Sequence, residues 1–435
     1  MKKSYLFSAF AAGMVMLSAC SNDGDLTNGG NESNDAVQQF VLQVANTGDG
    51  LQTRAGRPLE SSEATQTIEN VKIIVCDKQT HDVKYVTTIK NWNENTVSSP
   101  YTDNGHGRKK TIMIPKEEKL AAGEYTVYAF GYSSSSEYDA DDLKKITDVV
   151  KSTPKSQVTF TSNVKLGTKT SSIKGEEIFA GSETFTVTDN IGFNQGVVLN
   201  RQVAGTFGYF DKIPYVKGAT TLQLVAANRN KTLVLGNFNS FDLTGNGGGN
   251  GDHVNYVVNG TDAAADNEKV IYSISLDDWF KGVTDNDHDG LIDYDKSNWK
   301  GDASKYAIGS VFAGQFLIPF EKSATSAETF VLQLTNGTDV LKSWTVRLPE
   351  GDGQSTTHTL WKWDTDKFVQ APNSTDNYKV YNVVRNHLYG LGKRPSANPT
   401  TPGTDPDKPE PLNKKQELTL RVNDNWEVIH QMELE

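Results

Sequence analysis

The chain has 435 residues, a formal net charge of -11 and two cysteines. The acidic balance and the lack of a clustered Lys/Arg stripe argue against nucleic acid or an anionic membrane surface as a partner. The cysteine count excludes an internal disulfide framework in the mature protein, because Cys76 is the only cysteine apart from Cys20. The length predicts two or three domains that are stabilised by hydrophobic cores.

The first 19 residues carry the features of a secretory signal peptide. Lys2 and Lys3 precede an apolar stretch that is too short to span a bilayer, and small residues follow it. The run Leu17-Ser18-Ala19-Cys20 resembles the lipobox of bacterial lipoproteins, in which the cysteine is lipidated and becomes the new N-terminus. We therefore expect lipid on Cys20, and the alternative is an ordinary signal peptide with a cysteine near its end.

A short first strand is predicted after the leader. Phe40, Leu42 and Val44 occupy alternate positions and would share one face of this strand. A small, polar connection follows at 46–57 and contains Arg54. Exposed connections of this kind are readily cleaved by proteases. Taken alone, Arg54 is better explained as an ordinary solvated arginine.

The body of the chain is predicted to be all-β. Its apolar runs are short and rich in β-branched or aromatic residues, and turn-forming residues are abundant between them. Seven runs are predicted to be strands of two packed sheets: 71–75, 124–130, 185–187, 222–226, 316–318, 330–334 and 344–348. One short helix is predicted within 139–151 from helical spacing of apolar residues. Cys76 ends the first run and is predicted to be a small buried hydrophobe.

An acidic stretch begins at Asp285 and has the spacing of a calcium loop, with Gly290 at its sixth position. The predicted ligands are Asp285, Asp287, Asp289 and Asp293, assisted by the Leu291 carbonyl. An EF-hand needs glutamate at the twelfth position, where this chain has Lys296, and no flanking helices are predicted. A non-helical calcium loop and an acidic hairpin with an Asp-Gly turn both remain open. Four carboxylates this close repel one another without a cation.

The end of the chain combines a linker with a long strand. Residues 395–412 hold six of the 14 prolines and are predicted to be a semi-extended linker that cannot join a sheet interior. Beyond it, apolar residues at even-numbered positions would share one face of a strand: Leu418, Leu420, Val422, Trp426, Val428, Met432 and Leu434. This strand either invites a partner or folds back to complete its own domain.

No pattern in the sequence is typical of an enzyme. The seven histidines are scattered, no serine has the context of a nucleophile elbow, and no histidines have zinc spacing. We therefore expect no catalytic residues. Arg201 and Arg385 are expected in strands with structural roles, and His387 is expected to be packed or hydrogen-bonded. Exposed aromatic residues such as Trp361 and Trp363 leave open a surface lipoprotein that binds glycan and keeps its lipid.

The features together resemble the fimbrillins of Bacteroidetes, the subunits of type V fimbriae. The resemblance consists of the lipobox, the short first strand, the exposed Thr53-Arg54-Ala55-Gly56, the β-rich body and the C-terminal strand. The run 199–207 (LNRQVAGTF) is similar to the Leu-x-Arg-x-Val-Ala strand near the middle of these proteins. The run 381–389 (YNVVRNHLY) is similar to their Arg-Asn-x-x-Tyr strand. The sub-group that the chain most resembles is the minor-fimbria shaft subunit.

The resemblance implies two consecutive transthyretin-like β-sandwich domains with a detached C-terminal donor strand. Carried onto this chain, the parts are a signal peptide at 1–19, a propeptide with the first strand at 20–54, an N-terminal β-sandwich at 55–195, a C-terminal β-sandwich at 196–394, the linker at 395–412 and the donor strand at 413–435.

The resemblance also implies a mechanism of assembly. The lipidated precursor reaches the outer membrane, where a trypsin-like, arginine-specific protease cuts between Arg54 and Ala55 and the strand at 37–45 leaves. The vacated groove accepts the C-terminal strand of another copy, and copies join head-to-tail in a cell-surface fimbrium that supports adhesion. Tip and anchor subunits and host or bacterial surface ligands are the further partners, and a tip or anchor role for this chain is an alternative. No cofactor is required, and Ca²⁺ is the one cofactor that the residues suggest.

Overall fold

The computed structural model describes residues 37–45, 68–101, 107–161, 163–169, 174–189, 191–236, 254–265, 269–303, 306–321, 330–347, 358–370, 382–392, 409–413, 417–419 and 421–423. These residues belong to one compact unit, Ala36–Glu435. Among them, no helix is both long and apolar enough to cross a membrane.

The described first half of the chain is built mainly from strands. They are β1 Gln38–Ala45, β2 Asn70–Asp77, β3 Val83–Ile89, β4 Ser99–Tyr101, β5 Gly107–Met113, β6 Gly123–Tyr132, β7 Asn163–Gly167, β8 Phe179–Val187 and β9 Phe193–Arg201. Short 3₁₀ helices lie at Lys116–Glu118, Lys155–Gln157 and Thr159–Thr161. Helix α1, Ala140–Thr147, begins where Asp139 accepts hydrogen bonds from the backbone N–H groups of Asp141 and Asp142. The predicted helix within 139–151 is confirmed.

The described second half is also built from strands, with one short helix, α2 Leu276–Trp279. The strands are β10 Ala204–Asp211, β11 Thr221–Ala226, β12 Asn230–Gly236, β13 Val254–Val258, β14 Gly260–Ala263, β15 Val270–Ser275, β16 Val311–Leu317, β17 Phe330–Thr335, β18 Val340–Arg347, β19 His358–Asp364, β20 Lys367–Gln370, β21 Leu388–Leu391, β22 Glu410–Pro411, β23 Glu417–Thr419 and β24 Arg421–Asn423. The predicted all-β fold class is confirmed, and each of the seven predicted runs overlaps a strand.

The first-half strands form an eight-stranded sheet in the order β3-β2-β6-β8-β9-β1-β5-β4. Residues 71–76 of β2 are all buried, with Ile74 in one core and Ile73 in another, so this part of the sheet is covered on both faces. The first strand in sequence occupies an internal position, because β9 lies on one side of it and β5 on the other.

The second-half strands form smaller sheets. Two have five strands each, β16-β10-β21-β24 with β22 also on β10, and β15-β11-β17-β18-β23. Two more have three strands each, β14-β12-β7 and β13-β19-β20. In the first of these, β7 from the first half pairs with β12 from the second half, with Val164 opposite Leu235. The two halves of the chain therefore share a sheet.

Three hydrophobic cores hold the sheets together. The first-half core includes Phe40, and the second-half core includes Trp344. The shared core combines Phe130 of the first half with Leu235 and Phe316 of the second. The division predicted after residue 195 falls inside β9, and the domain boundaries stay a prediction. Cys76 is 1% exposed, so its predicted burial is confirmed.

The last residues of the predicted linker are part of the fold, at the edge of a sheet. Strand β22 pairs in parallel with β10 at Phe210↔Glu410 and Asp211↔Pro411. Leu412 is 1% exposed in the second-half core, and its carbonyl accepts a hydrogen bond from Trp344 Nε1 at 3.2 Å. The sequence does not indicate that Leu412 is buried, because a single leucine after prolines forms no periodic pattern. The C-terminal residues therefore start from a fixed point in the fold.

Candidate functional site

The first strand lies in a slot between β9 and β5. Strand β1 pairs in parallel with β9 along 38–44 and antiparallel with β5 along 39–45. Pairing on both sides satisfies backbone groups that an edge strand leaves open. We call the position between β9 and β5 the β1 slot.

One face of β1 is completely buried in the slot. Phe40, Leu42 and Val44 are each 0% exposed. The Phe40 ring centre lies 5.4 Å from that of Phe185 on β8 and 5.2 Å from that of Phe193 on β9. The prediction that the three apolar residues share one face is confirmed. Their removal by proteolysis stays a prediction.

Gln38 fixes the end of β1 in the slot. Its side chain is 6% exposed; Nε2 donates to the Leu120 carbonyl at 2.9 Å, and Oε1 accepts from the Leu120 N–H at 2.8 Å. The preceding residue, Val37, is 54% exposed, so Gln38 is the first residue of the buried stretch. Gln38 could not be predicted from the sequence, because a glutamine next to another glutamine carries no distinguishing signal.

The residues predicted for processing lie outside the described part of the chain. The connection from β1 to β2 contains residues 46–67, and Arg54 and Ala55 belong to it. Cys20 precedes the first described residue. Lipidation of Cys20 and cleavage after Arg54 therefore stay predictions.

The described part of the C-terminal segment, residues 413–435, pairs with its own chain. Strand β23 pairs in parallel with β18 at three positions, and β24 pairs antiparallel with β21 at three positions. Each of these short strands ends its sheet and has one described partner. This arrangement matches the alternative in which the segment folds back, and exchange with another copy stays a prediction. The predicted donor residues Leu420, Trp426, Val428, Met432 and Leu434 lie outside the described residues.

The two internal motifs of the resemblance meet in space. Arg201 ends β9 and is 0% exposed; its Nε donates to Glu177 Oε1 at 2.8 Å, and Nη1 donates to Asn386 Oδ1 at 3.1 Å. The guanidinium carbon also lies 4.8 Å from the ring centre of Phe179. A buried charge of this kind is tolerated only when it is paired and hydrogen-bonded. The expected structural role of Arg201 agrees with these contacts.

The second motif forms a turn that joins the sheets. Arg385 lies in this turn before β21, which corrects the expectation that it lies in a strand. Asn386 has a positive φ of 58°, which asparagine tolerates, and its N–H donates to the Val203 carbonyl at 2.8 Å. Arg385 Nη1 donates to Gln202 Oε1 at 3.1 Å. His387 is 2% exposed with Nδ1 2.9 Å from the Arg385 carbonyl, as expected for a packed histidine.

Three predicted calcium ligands come together in the acidic loop. Asp285, Asp287 and Asp289 each have a carboxylate oxygen within 4.8 Å of the others. Oδ1 of Asp285 is buried and has no hydrogen-bond partner among the described residues. A cation would satisfy this oxygen, so the three carboxylates fit a hard, oxygen-binding ion such as calcium. Gly290 has a φ of 84° and permits the turn, as its position predicts.

Asp293 and Leu291 have other contacts. The Asp293 carboxylate accepts from the Asn286 N–H at 3.0 Å and from Thr284 Oγ1 at 2.7 Å, and so it braces the neck of the loop. The Leu291 N–H donates to Asp289 Oδ1 at 2.8 Å. Ile292 is 1% exposed and anchors the loop in the second-half core. Calcium binding itself stays a prediction.

The tryptophan considered for glycan binding is partly covered. Trp363 on β19 packs edge-on against Phe368, with ring centres 5.2 Å apart. Lys165 Nζ lies over the Trp363 ring at 5.4 Å from its centre. A sugar would have to displace this ammonium group in order to stack on that face. The side chain of Trp361 lies outside the described residues.

Comparisons with known proteins give matches among solved structures. No protein-family model matches the chain, and no curated protein matches it. The tip fimbrial protein Mfa3 from Porphyromonas gingivalis with C-terminal truncation is similar at 10% identity and a TM-score of 0.38, over 89% of this chain and 99% of that chain. The fimbrial anchor protein Mfa2 from Porphyromonas gingivalis is similar at 10% identity and a TM-score of 0.32, over 77% of this chain and 96% of that chain. A fimbrial assembly protein from Parabacteroides distasonis is similar at 12% identity and a TM-score of 0.31, over 80% of this chain and 98% of that chain. Since these TM-scores are below 0.5, we take the function of this chain from its own geometry.

Proposed function

We propose that the chain is a structural shaft subunit of a type V fimbria on the bacterial cell surface. The exported precursor carries lipid on Cys20 and is held at the outer membrane. An arginine-specific, trypsin-like protease cuts between Arg54 and Ala55, and β1 leaves its slot. The slot then accepts a strand from the C-terminal segment of another copy. Copies join head-to-tail, together with tip and anchor subunits, in a filament that supports adhesion.

The observation that carries the proposal is the internal position of a strand at the beginning of the fold. Strand β1 has a neighbour on each side, but it continues into the rest of the described fold through residues 46–67 alone. A cut in this connection leaves β1 held by non-covalent contacts only. The predicted cleavage site, Arg54, lies in this connection.

Loss of β1 would leave a surface that favours a replacement strand. Burial of side chains such as Phe40, Leu42 and Val44 contributes about 1.5–3 kcal/mol each, and the surface beneath them becomes exposed when they leave. The backbone groups of β9 and β5 that face the slot lose their partners at the same time. An incoming strand restores the backbone pairing and the apolar contacts together.

The positions of acceptor and donor explain why assembly gives a filament. The slot lies in the first-half sheet, whereas the C-terminal segment leaves the second-half core at Leu412. A contact between two different surfaces is head-to-tail, and it propagates into an open filament when the rotation between successive copies does not close a ring. In the precursor β1 occupies the slot, which keeps the subunit from assembling before cleavage.

Controlled proteolysis of the purified precursor tests this proposal. An arginine-specific protease should remove residues 1–54 and convert the monomer into a ladder of multimers on native gels and in electron micrographs. Arg54→Ala should block both events. Arg57→Ala is the matched control, because Pro58 follows Arg57 and restricts cleavage there. A cleaved protein that remains monomeric would count against the proposal.

Mass spectrometry of the surface form provides an independent test. Ala55 at the N-terminus is the expected result for a processed fimbrial subunit. Lipidated Cys20 at the N-terminus would instead support a surface lipoprotein that binds glycan and stays anchored.

A tip or anchor subunit is the second candidate, and the pairing of β23 and β24 with their own chain favours it. A tip subunit accepts a strand and needs to donate none, whereas an anchor subunit is expected to resist cleavage and keep β1. Deletion of residues 413–435 discriminates the two roles. Ladders that disappear on deletion indicate a shaft subunit, whereas unchanged joining to a second subunit indicates a terminal one.

A further inference from the structure

We propose that residues 416–422 of one copy replace residues 38–44 of another in the β1 slot, in the same direction and register, with Gln416 in the place of Gln38. This inference rests on the proposed function. It adds the identity of the inserted residues, their direction and the residue that sets the register.

The two stretches share a pattern at alternate positions. Residues 38–44 read QQFVLQV, and residues 416–422 read QELTLRV. In β1, the residues at the first, third, fifth and seventh positions are buried. These positions hold glutamine, phenylalanine, leucine and valine in β1, and glutamine, leucine, leucine and valine in the later stretch. The intervening positions, half-buried in β1, hold glutamate, threonine and arginine in the later stretch.

The glutamine is the informative member of this pattern, because apolar alternation is common to many strands. Gln38 both donates to and accepts from the backbone of Leu120, at 2.9 and 2.8 Å. Leu120 is 6% exposed, so departure of β1 removes the side-chain partner of a buried N–H and a buried carbonyl. A side-chain amide restores both hydrogen bonds, which neither an apolar side chain nor an ionised carboxylate can do.

The two neighbouring registers of the stretch 416–422 place charged groups in the slot. If Leu420 took the place of Phe40, Asp424 would take the place of the fully buried Val44. A slip of one residue would turn Arg421 toward the core, because successive side chains point to opposite faces. Burial of an unpaired charge is costly, so both registers are disfavoured.

The opposite strand direction fails at the glutamine position. With Val422 in the place of Phe40 and the direction reversed, Asp424 would take the place of Gln38. An ionised aspartate accepts hydrogen bonds but cannot donate to the Leu120 carbonyl. The same direction as β1 therefore fits better, and it keeps the parallel pairing with β9 and the antiparallel pairing with β5.

The slot offers the segment more pairing than its own chain does. In its own chain, the described part pairs at three positions with β18 and at three with β21. In the slot, β1 pairs at seven positions with each of its two neighbours. If Leu412 stays anchored in the donor copy, the four residues that follow reach about 14 Å at most. The mouth of the recipient slot must then lie within that distance of the donor's second-half core.

Paired cysteines test the register in the full-length protein. In the proposed register Thr419 takes the place of Val41, which lies opposite the exposed Thr111 of β5. The variant Thr111→Cys/Thr419→Cys should therefore form disulfide-linked multimers after cleavage, visible on non-reducing gels. The control variants Thr111→Cys/Glu417→Cys and Thr111→Cys/Arg421→Cys should not, because diagonal residues lie too far apart for a disulfide.

The native cysteines do not interfere with this readout. Cys20 precedes the proposed cut and leaves with the propeptide. Cys76 is 1% exposed, and burial, with the nearby charges of Asp82 and Asp77, raises the pKa of its thiol to about 12. A buried thiol with so high a pKa is a poor nucleophile in disulfide formation.

The outcomes separate the register from the proposed function. A wild-type protein that stays monomeric after removal of residues 1–54 overturns the proposed function. Multimers whose disulfides form in a control pair leave exchange standing and overturn the register. Multimers that form disulfides in none of the three variants show that another register or another segment fills the slot, which overturns this inference.

Gln416 can be tested separately with a neighbouring control. Gln416→Ala should slow multimer formation about tenfold, because the Leu120 backbone groups stay unsatisfied. Lys415→Ala should change the rate less than about twofold, because this position corresponds to the exposed Val37. Equal rates for Gln416→Ala and wild-type protein would overturn the role of Gln416.

Discussion

Strand β1 and the C-terminal segment have similar strand patterns and different surroundings. Strand β1 pairs with β9 and β5 and buries Phe40, Leu42 and Val44 completely. The described part of the C-terminal segment is split into two three-residue strands, each with a partner on one side. Because β1 has neighbours on both sides, we expect it to be held more firmly than the C-terminal segment, although the apolar patterns are alike.

The two regions are connected through the buried contact between Arg201 and Asn386. Arg201 lies at the end of β9, which lines the slot, and donates to Asn386, two residues before β21. Strand β21 in turn pairs with β24 of the C-terminal segment. The Arg201–Asn386 contact thus links the strand beside β1 to the strand that pairs with the C-terminal segment.

The largest expected effect is the loss of stability when Phe40 of β1 is truncated, compared with truncation of Leu418 in the C-terminal segment. Phe40→Ala should lower the free energy of unfolding of the precursor by about 3–5 kcal/mol, because it empties a fully buried aromatic site. Leu418→Ala should lower it by less than about 1.5 kcal/mol, because β23 is held on one side. Urea unfolding of the two variants measures both values. Equal losses would show that the two strands are held equally well.

A similar effect is expected where the two regions are joined. Arg201→Met should destabilise the precursor by about 3–5 kcal/mol, because it leaves Glu177 as a buried carboxylate without its ion-pair partner. The double variant Arg201→Met/Glu177→Gln should recover part of that loss. Urea unfolding and a double-mutant cycle measure the coupling. A double variant as unstable as the sum of the two single ones would argue against the ion pair.

The acidic loop belongs to neither β1 nor the C-terminal segment, so it serves as a control for changes in stability outside these two regions. If Asp285, Asp287 and Asp289 bind calcium, Ca²⁺ at 100 times its Kd should stabilise the protein by about 2.7 kcal/mol. Multimer formation after cleavage should stay unchanged. Asp287→Asn should weaken the thermal shift, whereas Asp262→Asn, in β14, should leave it intact. A shift that Asp287→Asn does not alter would place the ion elsewhere.

The smallest expected effect distinguishes the two occupants of the slot. Gln43 of β1 lies opposite Lys109, and the proposed register brings Arg421 to that position. Lys109→Glu should relieve a like-charge pair that costs about 0.2–1 kcal/mol, and so speed multimer formation a few-fold at low salt. The gain should shrink in 0.5 M salt, about five times the ionic strength at which the Debye length is ~10 Å. Lys90→Glu, after β3 at the other edge of the sheet, makes the same charge change and should have no effect. An unchanged rate for Lys109→Glu would indicate that Arg421 does not reach this position.

Much of the secondary structure follows from local pattern. Alternation at Phe40, Leu42 and Val44 correctly predicts a strand with one buried face, because side chains of a strand point to opposite sides in turn. Helical spacing after Asp139 likewise predicts α1. Motif similarity wrongly predicts a strand at Arg385, because it does not report backbone conformation, and the left-handed Asn386 places Arg385 in a turn.

The candidate site could be predicted only in part. The spacing of nearby residues was enough to predict the first strand and the close approach of Asp285, Asp287 and Asp289. The roles of Gln38, Leu120 and Leu412 could not be predicted from the sequence, because each depends on a contact with residues distant in the chain. Long-range contacts carry no local period that a sequence pattern could show.

The sequence by itself therefore determined the all-β class, the buried face of β1 and the alternation near the C-terminus, since these depend on residues one or two positions apart. Only the tertiary structure decided that β1 lies between β9 and β5, that Arg201 meets Asn386 across the chain, and that Leu412 anchors the C-terminal segment. The physical reason is that strand pairing and core packing join residues that are neighbours in space. Such residues can be any distance apart in the chain, so the sequence pattern around one of them does not reveal its partner.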